Sequence, residues 1–181
     1  MKRQKRRQRR HLLKSVLGTS LAGLLLPMKH ALGMEEKRLS FYHTHTGKTL
    51  DVTFARGGKF IQPALQEINE FLSDFRTGDV TEIDPELLNL IYDIRESLGS
   101  QGRYEVISAY RSPKTNDMLR SRSGGVAKKS QHLLGKAIDV RLDDVELPKL
   151  RDAALAQKRG GVGYYAKSNF VHVDTGRVRR W

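Results

Sequence analysis

The chain has 181 residues and no cysteine, so a disulfide framework and thiolate metal ligands are both excluded. Its net charge of +13 resembles a nucleic-acid signal, but nine of the 33 Lys and Arg residues fall in the first 31 positions, which hold no acid. The remaining body carries 24 basic against 20 acidic residues, a mild excess that suits an anionic polymer but does not by itself imply DNA.

The N-terminus reads as an export signal over residues 1–33. Arg9-Arg10-His11-Leu12-Leu13-Lys14 has a twin-arginine pattern, and an apolar run from Val16 to Leu26 follows it. That run is short and interrupted by Gly18, Thr19, Ser20 and Gly23, unlike a membrane span of about 20 apolar residues. A basic arm for nucleic acid would leave the apolar run without a purpose. Membrane contact is expected only through this segment, if it is not cleaved, and the expected location is the periplasm.

The body, residues 34–181, reads as one domain. Leu39–His43 and Leu50–Phe54 alternate as the strands of a hairpin joined through Thr46-Gly47-Lys48. Pro63 opens a helix in which Leu65, Ile68, Leu72 and Phe75 recur at helical spacing until Gly78. Asp84 is a good N-cap for a second helix, with Pro85 at its first position, a stripe of Leu87, Leu88, Ile91, Ile94 and Leu98, and Gly99 as its stop. Tyr104–Ala109 alternates as a half-buried strand, Pro113–Arg120 suits a short helix, and Ser121–Lys129 has no periodicity and reads as a basic loop. Ala137–Leu142 returns to strand, Leu147–Gln157 to helix, Gly160-Gly161-Val162-Gly163 reads as a tight turn, and Phe170–Val173 as the last strand. Helices early and short strands late predict an α+β fold, a small antiparallel sheet with helices packed on one side.

Successive strand residues point to opposite faces. Ile138, Val140 and Leu142 therefore form an apolar face, leaving Asp139 on the other, and His172 and Asp174 share one face of the last strand with Val171 and Val173 behind. If the two strands pair, Asp139 and His172 converge, and His132 returns to the same point through the turn that Gly135 permits, with small Ala137 leaving room for an ion. Two imidazoles and a carboxylate form the kind of ligand set that a catalytic zinc uses when it keeps a position open for water. His43 and His45, alternating on a strand, are a rival pair with no carboxylate beside them in sequence.

The pattern S-x-H-x-x-G-x-A-x-D over Ser130–Asp139 resembles, position for position, the zinc motif of the D-alanyl-D-alanine carboxypeptidase and dipeptidase metallopeptidases, relatives of the lysostaphin-type enzymes. With the twin-arginine segment, Ile107–Ser112, Gly125–Ser130 and Gly160–Tyr165, the chain is similar over nearly its whole length to the exported YcbK-like murein endopeptidases. The resemblance implies Zn2+ held by His132, Asp139 and His172, and peptidoglycan cross-links as the substrate; one Zn2+ per chain, a monomer and no nucleic-acid partner are expected. It also places Arg111 at the substrate, where the guanidinium fork suits a carboxylate or developing oxyanion; a surface salt bridge is the alternative. Ser108 and Tyr110 flank Arg111 as substrate-side residues that shape the strand end. Arg120, Arg122, Lys128 and Lys129 border the loop that leads into His132, as a rim for stem-peptide carboxylates or merely as a solvated loop. Tyr164 and Tyr165 either lie along the peptide or join the core.

Many of these peptidases carry a Glu as general base three residues before the last histidine ligand; Asn169 stands there in this chain. Asp174, on the same strand face as His172, is the candidate base, with orientation of His172 as its other role. Two rival functions use the same residues: a D,D-carboxypeptidase or dipeptidase acting on uncross-linked stem peptides, and a non-catalytic peptidoglycan-binding module.

Overall fold

The computed structural model describes residues 35–181; the export segment expected over 1–33 lies outside the described residues. Strands β1 (Glu36–His43) and β2 (Thr49–Arg56) form the expected hairpin, and a short β3 (Lys59–Phe60) folds back on β2. Alternation explains the hairpin: Leu39 and Phe41 of β1 and Leu50, Val52 and Phe54 of β2 all turn inward.

Helix α1 spans Gln62–Phe71 and buries Ala64, Leu65 and Ile68. The apolar spacing continues through Leu72 and Phe75, but the helix does not. Asp74 is drawn away instead: its carboxylate accepts from the backbone N–H of Ser112 at 2.9 Å, from Ser112 Oγ at 2.7 Å and from the N–H of Arg76 at 3.0 Å. Phe75 then stacks on His45, with centroids 4.3 Å apart and planes 11° apart. Helix α2 (Pro85–Ser97) follows its sequence signals closely. Asp84 accepts from the Glu86 N–H at 3.0 Å, Leu87, Leu88, Leu90, Ile91 and Ile94 are buried, and Gly99 follows the cap at φ +62°.

Strand β4 (Tyr104–Ser108) leads into α3 (Pro113–Arg122), which Ser112 caps by accepting the Thr115 N–H. A 3-10 turn over Gln131–Leu134 precedes β5 (Ala137–Leu142), and α4 (Leu147–Gln157) follows. Strand β6 (Gly161–Tyr165) occupies the segment expected to be a tight turn, β7 covers Phe170–Asp174, and a two-residue β8 (Arg179–Arg180) closes the edge.

The eight strands lie in one sheet in the order β3-β2-β1-β4-β5-β7-β6-β8. The fold is α+β, as expected, but the sheet is larger than a small antiparallel one: β1–β4 and β6–β8 pair in parallel. The chain between β1 and β4 includes α1 and α2, long enough for the crossover that a parallel pair needs. Buried residues of α1, α2 and α4 join Val106, Ile138, Val140, Val171 and Val173 in a single core on one face of the sheet. Tyr104, also fully buried there, donates its hydroxyl to the Ile91 carbonyl at 2.8 Å, which meets the need of a buried polar tip. The opposite face of β5 and β7 is left for polar side chains. No described helix is long and apolar enough to cross a membrane.

Gly135 fixes the turn that returns His132 to the sheet. It ends the 3-10 turn at φ +65°, and a Cβ there would lie 2.2 Å from the Glu82 carbonyl oxygen. Its own carbonyl accepts from the Asp84 N–H at 3.0 Å, so the start of α2 and the turn hold each other. Gly135→Ala is therefore expected to destabilise the fold by about 3 kcal/mol, through backbone strain and overlap together. Urea unfolding measures this, and a loss under about 1 kcal/mol would show that the contact relaxes easily.

Candidate metal centre and cleft

The site is built from the register of two strands. In the β5–β7 pair Asp139 stands directly opposite His172, so their side chains leave the sheet together on the polar face. Asp139 Oδ1 lies 2.8 Å from His172 Nδ1. His132, on the 3-10 turn, brings its Nε2 to 3.2 Å from Asp139 Oδ1 and 3.1 Å from His172 Nδ1. One donor atom from each residue lies within 4.8 Å of the others, and all three residues are buried. The structure thus brings together the three residues expected to converge.

Each inner atom is free to face the centre because its outer partner is already engaged. His132 Nδ1 is 2.6 Å from the Ala109 carbonyl, an acceptor only, so that nitrogen carries the proton and Nε2 presents its lone pair. His172 Nε2 is 2.8 Å from Asp174 Oδ2, also an acceptor, so that edge keeps its proton and Nδ1 is the nitrogen that gives one up to become a ligand atom. Asp139 Oδ2 accepts from Arg111 Nη2 at 3.0 Å, leaving Oδ1 for the cluster. A donor set of two imidazole nitrogens and one carboxylate oxygen, oriented from outside, fits a divalent cation.

Electrostatics agree with this arrangement. Burial holds the His132 pKa below its ordinary value, favouring the neutral imidazole, despite the Asp139 charge. Burial pushes His172 the same way, but its hydrogen bonds to Asp139 and Asp174 prevail and raise its pKa. Burial would raise the two carboxylates, yet His132 and His172 at Asp139, and His172 and Arg179 at Asp174, hold both well below the usual carboxylate range.

Asp174 is not placed as a base. Its Oδ2 meets the Nε2 edge of His172, not the Nδ1 edge that faces Asp139 and His132. The carboxylate is fully buried and receives Arg179 at 3.0 and 2.6 Å and the N–H groups of Gly161 and Gly176 at 3.1 and 2.8 Å. Strand alternation correctly put it on the face of His172, but two residues further along the strand, in the row next to the cluster. Asn169 has a simple local reason: exposed, at φ +54°, it turns the chain between β6 and β7 in the left-handed conformation that Asn tolerates.

The cluster lies in a cleft of about 470 Å³ lined by Arg111, Lys129, Tyr165, Phe170, Trp181 and residues of the basic loop. Arg111 is there, but not as a surface salt bridge. Its side chain is 12% exposed, it pairs with Asp139, and its Nε donates to Ser108 Oγ at 3.1 Å. Its backbone N–H donates to the His132 carbonyl at 3.1 Å. Ser108 thus supports Arg111 and does not itself line the cleft. Tyr110 corrects the expectation placed on it: it packs against the core, beside Asp74 and Asp79, away from the cleft lining. Of the rim cations, Lys129 lines the cleft, whereas Arg120 bonds Asp117 at 3.4 Å. Tyr165 lines the cleft and Tyr164 packs on the core, so the two alternatives are divided between them. His43 and His45 pack around Phe75, with the His45 N–H donating to His43 Nδ1 at 3.3 Å.

Two contributors had no visible signal in the motif: Arg179 and Trp181, which reach the site from beyond β7. The β6 glycines let them in. A Cβ at 161 would meet Arg179 Nη1 and Asp174 Oδ2 at 2.5 Å, and one at 163 would meet the Trp181 indole at 2.7–2.8 Å. Glycine inside a strand marks such close approach, and this, not a turn, is the purpose of the Gly-rich run.

An α+β sheet that sets two histidines and an aspartate at the floor of an open cleft defines a metallopeptidase-type hydrolase. The chain belongs to the Peptidase_M15_2 family, described as peptidoglycan L,D-endopeptidase MepK, whose model matches residues 31–181. It is 40% identical over 167 residues to the peptidoglycan L,D-endopeptidase MepK of Escherichia coli (strain K12), covering 91% of this chain and 92% of that protein. It is 44% identical over 144 residues to the probable peptidoglycan L,D-endopeptidase MepK of Haemophilus influenzae (strain Rd), covering 79% and 77%. No solved structure matches the chain.

Removing the carboxylate at 174 leaves the Arg179 guanidinium and His172 Nε2 without their partner. Asp174→Ala is expected to lower stability by about 3 kcal/mol at neutral pH, as for a broken buried ion pair. Because the Asp174 pKa is depressed in the fold, its contribution is present above the unfolded value and lost as pH falls below it. Urea unfolding of both proteins at pH 7 and pH 3 should therefore show the gap narrowing in acid; an equal gap at both would refute the assignment.

Proposed function

We propose that this protein is a zinc-dependent endopeptidase that hydrolyses L,D-peptide cross-links of peptidoglycan. The single observation carrying the reading is the convergence of His132 Nε2, Asp139 Oδ1 and His172 Nδ1, each oriented from its outer edge, at the floor of an accessible cleft. The relatives named as peptidoglycan L,D-endopeptidases supply the substrate class and the stereochemistry of the bond.

In this reading His132, Asp139 and His172 hold the cation. A zinc ion held there would supply Lewis-acid polarisation of the scissile carbonyl and a lowered pKa, toward about 7, for an attacking water. Arg111 keeps Asp139 in place through Oδ2 and has further N–H groups to offer a peptide carbonyl or carboxylate in the cleft. Lys129 adds positive charge to the same cleft, favouring encounter with anionic stem peptides. Asp139 is the sole carboxylate among the described lining residues, so no second acidic group stands ready to act as base.

Residues 1–33 are assigned as the twin-arginine export signal and residues 34–181 as the peptidase domain, working in the periplasm as a monomer; a donor set drawn from one chain supports the monomer. The wall polymer lies outside the cytoplasm, which supports export.

Incubating the zinc-loaded protein with purified peptidoglycan and analysing the muropeptides by mass spectrometry tests the activity. Loss of L,D-cross-linked dimers without release of terminal residues is expected. Release of terminal residues from uncross-linked peptides would instead identify a carboxypeptidase, and binding without any cut a wall-binding module. His132→Ala and Asp139→Ala are each expected to reduce turnover by at least about 10³-fold; full activity in either would refute the ligand assignment.

Cation uptake requires a free Nδ1 on His172, where the raised pKa favours a proton. Affinity should therefore fall as pH drops through and below that raised value, and uptake at neutral pH should release protons. Calorimetry in buffers of different ionisation enthalpy measures the release, and an affinity flat from pH 8 to pH 6 would contradict it.

A further inference from the structure

The cleft wall on the β6 side is aromatic. Tyr165 and Phe170 stack there with centroids 4.5 Å apart and planes 21° apart, and the Trp181 indole lies 5.2 Å from the His172 ring. Trp181 is the only tryptophan in the chain and is 50% exposed, where a large apolar ring would ordinarily be covered. We propose that Trp181 is a substrate-binding residue, its indole forming a preset platform for the peptide segment beside the scissile bond. The proposal rests on the endopeptidase reading above and extends it to the recognition of the peptide.

Three observations carry it. The first is position. Asp139 on β5, His172 on β7 and Gly163 on β6 are cross-strand partners, and Trp181 continues the β6–β8 pairing one step past Arg180, so all four stand in one row across the sheet. The row runs from the metal cluster to the indole, with glycine at the one place where a side chain would separate His172 from Trp181. The second is fixation. The Trp181 N–H donates to the Val162 carbonyl at 3.2 Å, its carbonyl accepts the Tyr164 N–H at 3.0 Å, and Nε1–H donates to Tyr165 Oη at 2.7 Å. The Arg179 guanidinium sits 5.0 Å from the ring, held in turn by Asp174. An aromatic surface ordered in advance adds contact area without a further entropic cost on binding. The third is chemistry. The cleft otherwise offers Arg111 and Lys129 for charged groups, and Trp181 with Tyr165 supplies the apolar wall against which a peptide's backbone planes and methyl groups can lie.

A ring that only shielded the His172–Asp174–Arg179 network from water would affect stability and metal affinity, not the Michaelis constant. The two roles are separable. Trp181→Ala is expected to raise KM for a cross-linked muropeptide dimer about tenfold, with the smaller part of the loss in kcat, and Trp181→Phe to recover most of it. Gly163→Ala should reproduce the KM effect with the indole still present, because the new Cβ would lie 2.7–2.8 Å from the ring and force it out of its fixed position. That variant carries the test if Trp181→Ala does not fold. Since Trp181 alone emits as tryptophan, titrating the same dimer into the wild-type protein, with and without zinc, should change its emission saturably. Unchanged KM in both Trp181→Ala and Gly163→Ala, or emission indifferent to the dimer at saturating concentration, would overturn the proposal while leaving the peptidase reading intact. Absence of any cleavage by the wild type would instead remove the peptidase reading, and the emission titration would still decide whether peptide meets the indole.

Discussion

The antiparallel contact between β5 and β7 is the constraint from which the site follows. Its register sets Asp139 opposite His172, and because side chains alternate strictly, the same register sends Ile138, Val140, Val171 and Val173 into the core. A slip by one residue would put the ligands into the apolar core and the valines into the cleft. The apolar face therefore fixes the geometry of the polar one, and the cluster needs no separate device to aim two of its three members. His132 is the exception, and it is held by the Gly135 turn, the Ala109 carbonyl and the backbone bond to Arg111.

Around that contact the molecule is organised in rows across the sheet. One row links Asp139, His172, Gly163 and Trp181; the neighbouring row brings together Ala137, Asp174, Gly161 and Arg179. In both, a glycine on β6 leaves a gap that a side chain from the β8 end crosses. The second row serves the first: Arg179 holds Asp174, Asp174 holds His172, and His172 presents Nδ1 to the cluster. On the other side, Asp74 pins Ser112, and Ser112 lies next to Arg111, which pins Asp139.

Much of this was legible in the sequence because it is local. Asp84-Pro85 with the Leu87–Ile94 stripe specifies α2 through short-range chemistry, and the alternation in Ala137–Leu142 and Phe170–Asp174 specifies the strands that carry Asp139 and His172. What was not legible depends on distant partners. The spacing of Leu72 and Phe75 continues a helical pattern, yet α1 stops because Asp74 finds Ser112, 38 residues away. Gly160–Gly163 reads as a turn until Arg179 and Trp181 are known to need the space. The role of Asp174 was ambiguous for a related reason: alternation gives the face of a strand but not the position along it, and one step separates a residue in the cleft from one behind a ligand.

The two histidines are secured by different kinds of group. His132 leans on a main-chain carbonyl, that of Ala109, which no codon change can delete. His172 leans on Asp174 and, through it, on Arg179, both replaceable by single substitutions. Heritable variation can therefore retune one imidazole while the other keeps its tautomer, so drift in cation affinity or preference among natural variants would enter through the His172 end of the centre.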